Sequence, residues 1–153
     1  MQRFADALFS VALTLWVGGL WAIGYLVAPT LFASLADRQM AGVLAGKLFM
    51  LISWAGVGCA AYLMLLMLFR IGTAVLKRWI FWTVFAMLLL TLASLFGVQP
   101  LMEQLKLDAF PREVMESVMR DRFVMWHGIS SVLYLMQSGL GLLLVLGAGR
   151  GIK

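Results

Sequence analysis

His127, Ser131, Tyr134 and Ser138 recur at i, i+4, i+7 and i+11, which on a helix is a single stripe, with Ser130 and Gln137 on its flanks. Polar groups in an otherwise apolar helix are costly to leave in lipid, so they turn toward protein, a cavity or one another. Three chemistries are open to His127. It can bond a backbone carbonyl or Ser130 as a structural histidine. It can bind a proton or ligand in a pocket open to one end of the molecule. It can ligate a metal or haem through its neutral imidazole. For the second chemistry the ligand-binding set is His127, Ser131, Tyr134 and Lys47, since Lys47 heads the second apolar stretch at a level similar to His127. For the third, His127 is the one candidate metal ligand, and neither haem nor copper finds a full ligand set. Met102, Met115, Met119 and Met125 belong to the same side; thioethers suit Cu(I), but methionine is also a flexible filler of apolar packing.

Enzyme motifs are missing from the sequence. It has no Walker loop, no HExxH, no CxxC and no dinucleotide fingerprint. Gly18 and Gly19 lie inside an apolar stretch and do not form a phosphate loop. Glu113 and Glu116 pair only in a polar connector, where solvation accounts for them. Cys59 is the single cysteine, so no internal disulfide forms. The expectation is a protein without catalytic residues.

The elements that carry these residues are read from charge and hydropathy. Hydrophobic residues make up 63% of the 153 positions and charged residues 12%, against roughly 45–50% and 25% in a soluble domain. A chain this short cannot bury so much apolar surface within itself. Asp6 and Asp37 bracket 30 uncharged residues, Lys47 and Arg70 bracket 22, Arg78 and Glu103 bracket 24, and 27 residues separate Arg122 from Arg150. A spanning helix needs about 20 apolar residues, and backbone groups in lipid must be satisfied within the segment. Each window therefore holds one transmembrane helix. The predicted fold class is all-α: an integral membrane four-helix bundle, with a short amphipathic helix before the fourth span. A single transmembrane domain over 1–153 is expected, with spans at about 4–28, 46–70, 77–99 and 122–148. The first window is too long for a secretion-signal core and is read as a retained span.

Prolines mark the expected ends. Ala28 and Pro29 predict a break after Val27, because proline disfavours helix in the residue before it, and Pro100 closes the third helix. From Pro111 to Asp121, Val114, Met115, Val118 and Met119 alternate at helical spacing with Arg112, Glu113, Glu116 and Arg120. The pattern suits a helix lying in the membrane interface or a solvated extension of the fourth span. Four spans put both termini and the Arg70–Arg78 turn on one side. Basic residues divide six and six between the sides, but the terminal side has one acid, Asp6, and the other, termed outer below, has six. This favours cytoplasmic termini in a multi-pass protein of the bacterial inner membrane. The net charge of +5 then meets anionic lipid at the cytoplasmic rim and implies no nucleic-acid partner.

Small residues mark helix faces that touch. Gly42, Gly46, Ser53, Gly56 and Ala60 line one side of the second span, Gly18 and Ala22 one side of the first, and Thr83, Ala86, Ser94 and Gly97 the third. Such faces serve internal packing, a homo-oligomer or a membrane-protein partner.

Leu15, Trp16, Val17, Gly18, Gly19, Leu20 and Trp21, then Ala28 to Phe32, then Ala41 to Phe49, together resemble a bacterial four-helix membrane family of unknown function. That family is similar to an animal transmembrane family linked to platinum-drug resistance. Trp126, His127, Gly128, Ile129, Ser130 and Ser131 resemble its histidine motif. Trp16, Gly18 and Gly19 also resemble the matching helix of CopD-type copper-resistance proteins and HemJ-type protoporphyrinogen oxidases. Those groups carry a histidine upstream of the tryptophan, where this chain has Leu8, Phe9 and Ser10. The resemblance implies a shared fold without the cofactor. The leading expectation is a membrane protein that binds or moves a small molecule or metal ion through a polar pocket near the outer side. The alternatives are a HemJ-like haem-dependent oxidoreductase and a structural partner of another membrane complex.

Overall fold

The computed structural model describes residues 2–109 and 114–151, and the regular structure among them is helical throughout. The first span opens with α1 (Gln2–Trp21) and does not break at Ala28–Pro29. Residues Ala22–Val27 widen into a π-helix, and α2 (Ala28–Ser34) carries the chain on. In the widened turn the Ala28 N–H donates to the Ile23 carbonyl, five residues back. That extra residue gives the Pro29 ring room where a regular turn would drive it into a carbonyl. Pro29 then sits in the first turn of α2, where its missing N–H costs least.

The third span repeats this device. Pro100 does not close it: α4 (Trp79–Ala93) passes through a π-helix at Ser94–Val98 into α5 (Gln99–Ala109). Here the Gln99 N–H donates to the Ser94 carbonyl. Both expected breaks fail for one reason: membrane helices absorb proline by a local change of helical pitch.

Between these two, α3 (Arg38–Ile71) forms the second span. Its N-terminus is capped by Asp37, whose carboxylate accepts from the amides of Gln39 and Met40 at 2.8 and 3.0 Å. Gly72 ends it at φ 61°, a left-handed conformation that a Cβ would strain. A 3-10 turn over Gly72–Lys77 returns the chain to α4. Asp6 at the start of the first span forms an ion pair with Arg70 at the end of the second. The fourth span is α6 (Arg120–Gly151). Of the amphipathic stretch before it, the first residues lie outside the described ones. Val114–Glu116 forms one 3-10 turn, and Val118 behind it is 93% exposed.

Consecutive spans pack side by side, and α6 returns to α1, which closes a four-helix ring. Trp16, Leu63, Val84, Met87 and Leu144 are fully covered at its centre. The first two spans interlock through glycine: a methyl on Gly19 would stand 2.6 Å from Ile52 Cδ1, and one on Gly56 would strike the Trp16 indole. Outside, Leu51, Leu65, Phe96, Leu135 and Leu146 are among many large apolar side chains that stand more than half exposed. Among the described residues, four helical segments are long and apolar enough to cross a membrane: Phe4–Ser34, Arg38–Lys77, Trp79–Ala109 and Arg120–Gly147. Lipid is the solvent that this outer surface fits.

Candidate functional site

The stripe predicted on the fourth span divides. Along α6 the covered or half-covered side chains include Trp126, Ser130, Leu133, Gln137 and Leu144. His127 and Ser131 are each one residue past that line, about 100° around the helix, and both are exposed. Ser131 Oγ donates to the His127 carbonyl at 2.8 Å. The His127 ring stacks on Phe123, nearly parallel, at a centroid distance of 6.0 Å. Lys47 is exposed on α3. Tyr134 and Ser138 turn inward instead. Among the described residues no group of three or more His, Cys, Asp or Glu converges as a metal would require.

The inward-facing polar groups lie near the middle of the bundle; spans two, three and four contribute side chains, and span one its Leu20 carbonyl and the half-exposed Tyr25. The Tyr134 hydroxyl donates to the Leu20 carbonyl and also interacts with the Gly24 amide. These are the two groups that an α-helix pairs with each other. The tyrosine tip therefore enters the backbone ladder beside the first π-segment, which is one way helices bend. Gly24 permits it, since any Cβ there would overlap the Tyr134 ring. Around that ring stand Phe49, edge to face at 5.2 Å, and Tyr25 at 6.2 Å. The Tyr25 hydroxyl donates to Ser138 Oγ at 3.0 Å.

On the other side of the bundle, Gln137 Nε2 donates to Thr91 Oγ1 at 2.6 Å, and Thr91 passes its own proton to the Met87 carbonyl at 2.8 Å. Gln99 Nε2 donates to Ser53 Oγ at 3.3 Å, and Ser53 donates to the Phe49 carbonyl at 2.7 Å. Because the single Ser53 hydrogen is committed to Phe49, Ser53 can only accept from Gln99. The Gln99 amide must then present its NH2 group there. Its Oε1 atom is buried and accepts no hydrogen bond from any described residue. Such atoms are uncommon, because an unpaired acceptor in an apolar interior costs about 1–3 kcal/mol.

Sequence reasoning passed over Gln99, Thr91 and Tyr25 and read Ser53 as packing. The available signal was a glutamine directly before proline inside an apolar run. At the outer rim the Gly42–Gly46 face receives a side chain rather than another glycine face. Lys106 Nζ donates to the Gly42 carbonyl at 3.1 Å, and a methyl on Gly46 would stand 3.6 Å from that nitrogen and 3.8 Å from Glu103 Oε1.

Residues 11–111 match a family model described as a domain of unknown function (DUF4149), and the chain belongs to that family. No curated protein matches it. No solved structure matches it either. The matched region carries Trp16, Ser53, Gln99 and both proline-linked π-segments; the stripe on α6 lies beyond it.

Proposed function

We propose that this member of the DUF4149 family is a multi-pass membrane protein that binds, or moves, a small polar molecule or an ion through the polar layer at mid-bundle. The observation that carries the reading is the buried, unpartnered Gln99 Oε1 beside Ser53. A buried acceptor that the protein leaves unpaired is a place where a donor from outside gains a full hydrogen bond. Tyr134 is the inner member of the ligand-binding set. Lys47, His127 and Ser131 stand on the outer half, where they form the approach. Termini on the cytoplasmic side of a bacterial inner membrane would make that approach face outward.

The test is native mass spectrometry of protein purified in mild detergent, comparing wild type with Gln99→Leu. A small adduct on the wild type that the variant lacks supports the reading. Bare wild type, with no thermal shift from any alkali cation or small polar solute, sinks it. A visible spectrum of the same sample reports on the haem reading, since an axial His127 would give a Soret band lost in His127→Ala. A second reading, a structural partner for another membrane protein, is favoured by the exposed Gly128 and Gly139 on α6, neither of which has a neighbour within 4 Å of an added methyl. Pull-down from membranes with Gly139→Leu as the control tests it.

A further inference from the structure

Spans one and four leave a groove between them on the outside of the bundle, about 450 Å³ in volume, lined by Trp21, Tyr25, Leu135, Ser138, Gly139 and Leu142. Its walls follow from helical spacing: Trp21 and Tyr25 are one turn apart on span one, and Leu135, Ser138, Gly139 and Leu142 fall at i, i+3, i+4 and i+7 on α6. Gly139 leaves the α6 wall low, since an added methyl there would meet nothing within 4 Å. Trp21, Tyr25, Leu135 and Leu142 are each more than a third exposed, and the lining holds no charged residue among the described ones. One polar side chain is covered beneath this surface. Ser138 is 6% exposed, and its Oγ accepts from the Tyr25 hydroxyl at 3.0 Å. Ser53, Thr91 and Ser131 each turn their own hydroxyl hydrogen back to the carbonyl one turn earlier. Ser138 does not: the bond with Tyr25 is the one hydrogen bond it makes with the described residues. Two hydroxyls carry two hydrogens, and the bond between them uses one. The other is left at the groove, in a layer where lipid supplies no acceptor.

Depth narrows what can accept it. Ser138 stands near the middle of the uncharged window between Arg122 and Arg150, about 18–24 Å along the helix from either charge. Phospholipid ester carbonyls lie at the edge of the hydrocarbon, about 15 Å from its midplane, so the acyl chains that reach this groove bring no acceptor with them. An acceptor at this depth is carried by a molecule that dissolves in the hydrocarbon itself. We propose that the groove binds an apolar molecule bearing a carbonyl, of which an isoprenoid quinone is the fitting membrane-dissolved class, and that the Ser138 hydroxyl donates to its carbonyl oxygen. Trp21 and Tyr25 offer aromatic rings for a flat head to pack on. The gap at Gly139 gives that head room beside Ser138, and Leu135 and Leu142 extend the apolar wall along a tail. A charged ligand finds no counter-ion in the lining. The groove opens to lipid and its donor is Ser138, so this inference does not depend on the Gln99 reading above.

The experiment titrates the full chain in phosphatidylcholine nanodiscs with decyl-benzoquinone, a long-chain methyl ketone and decylbenzene, and reads the bound fraction by native mass spectrometry. Decylbenzene has the outline of the quinone and no carbonyl. One hydrogen bond between neutral groups makes wild type bind the quinone about 3–10-fold more tightly than decylbenzene. Ser138→Ala keeps the groove and removes the donor, so the preference disappears while decylbenzene binds as before. Gly139→Leu fills the groove, and every probe loses affinity. A ketone that matches the quinone in wild type assigns the site to aliphatic carbonyl compounds; a weaker ketone assigns it to the quinone ring. Equal binding of quinone and decylbenzene to wild type means that the groove holds hydrocarbon only, and this overturns the proposal. So does a quinone preference that survives in Ser138→Ala. If Ser138→Ala fails to fold, Gly139→Leu at its exposed position decides: quinone bound as tightly as by wild type overturns the proposal as well.

Discussion

Replacing Tyr134 with phenylalanine removes one oxygen from the middle of the bundle and nothing else. The Leu20 carbonyl loses its side-chain donor, and in an apolar interior an abandoned acceptor costs about 1–3 kcal/mol. Relief is close by. The Gly24 amide already lies beside the same hydroxyl and is one turn along from Leu20, so it can take over the carbonyl. Interhelical hydrogen bonds in membrane proteins average about 0.6 kcal/mol and reach about 1.7. The expected loss is therefore about 1 kcal/mol. Tyr134→Ala is a different perturbation, because it also removes the ring packed on Phe49 and Tyr25, and deleting a large aromatic side chain costs roughly 3–5 kcal/mol. Reversible unfolding in SDS–detergent mixtures measures both. Hydrogen exchange at the Gly24 amide reports whether that group changes partner. Equal losses for the two variants would refute the account of Tyr134 as both a packed ring and a ladder-inserted hydroxyl. So would a loss above 3 kcal/mol for Tyr134→Phe alone.

Gly56→Ala forces a methyl into the Trp16 indole, and overpacking of this kind costs about 1–3 kcal/mol. Gly18→Ala, with open space around it, stays within about 0.5 kcal/mol in the same SDS titration. Gly72→Ala must hold a Cβ at φ 61°, and the expected cost is about 1–2 kcal/mol, read as a lower melting temperature. Asp6→Asn breaks the exposed pair with Arg70. Its cost is below about 1 kcal/mol and shrinks at high salt; a large, salt-independent loss in a salt series would contradict the surface placement.

The spans were legible because charge and lipid do not mix: Arg70 stands at the end of α3 as the charge spacing requires, while α3 begins at Arg38, nine residues before the Lys47 that brackets the second window in the sequence. Glycine against a large partner was legible in kind, but the partners were not. Nothing in one-dimensional spacing says that Gly56 receives Trp16 or that Gly42 gives its carbonyl to Lys106. Both prolines misled for a physical reason, since their cost in a regular helix is real and the π-turn that avoids it leaves no mark in hydropathy. That error hid Gln99. Read as the last residue before a helix end, it belongs to a loop; carried through a continuing helix, it belongs to the interior. The α6 stripe divides, because His127 and Ser131 lie one residue past the covered face while Tyr134 and Ser138 turn inward, and a period of i, i+4, i+7 and i+11 does not distinguish residues at the edge of a face from those at its centre.

Two stiffnesses follow from the proline-linked turns. Below them α1, α3, α4 and α6 pack as regular α-helices around a floor of Trp16, Leu63, Met87 and Leu144. Above them α2 and α5 are each joined to their lower halves through a turn that lacks one rung at Pro29 or Pro100. The bending modulus is lowest there, at similar depth in the first and third spans. A change in bilayer thickness or lateral tension loads all four helices alike, but these two bend first, at the proline-linked turns, while the apolar floor keeps its shape.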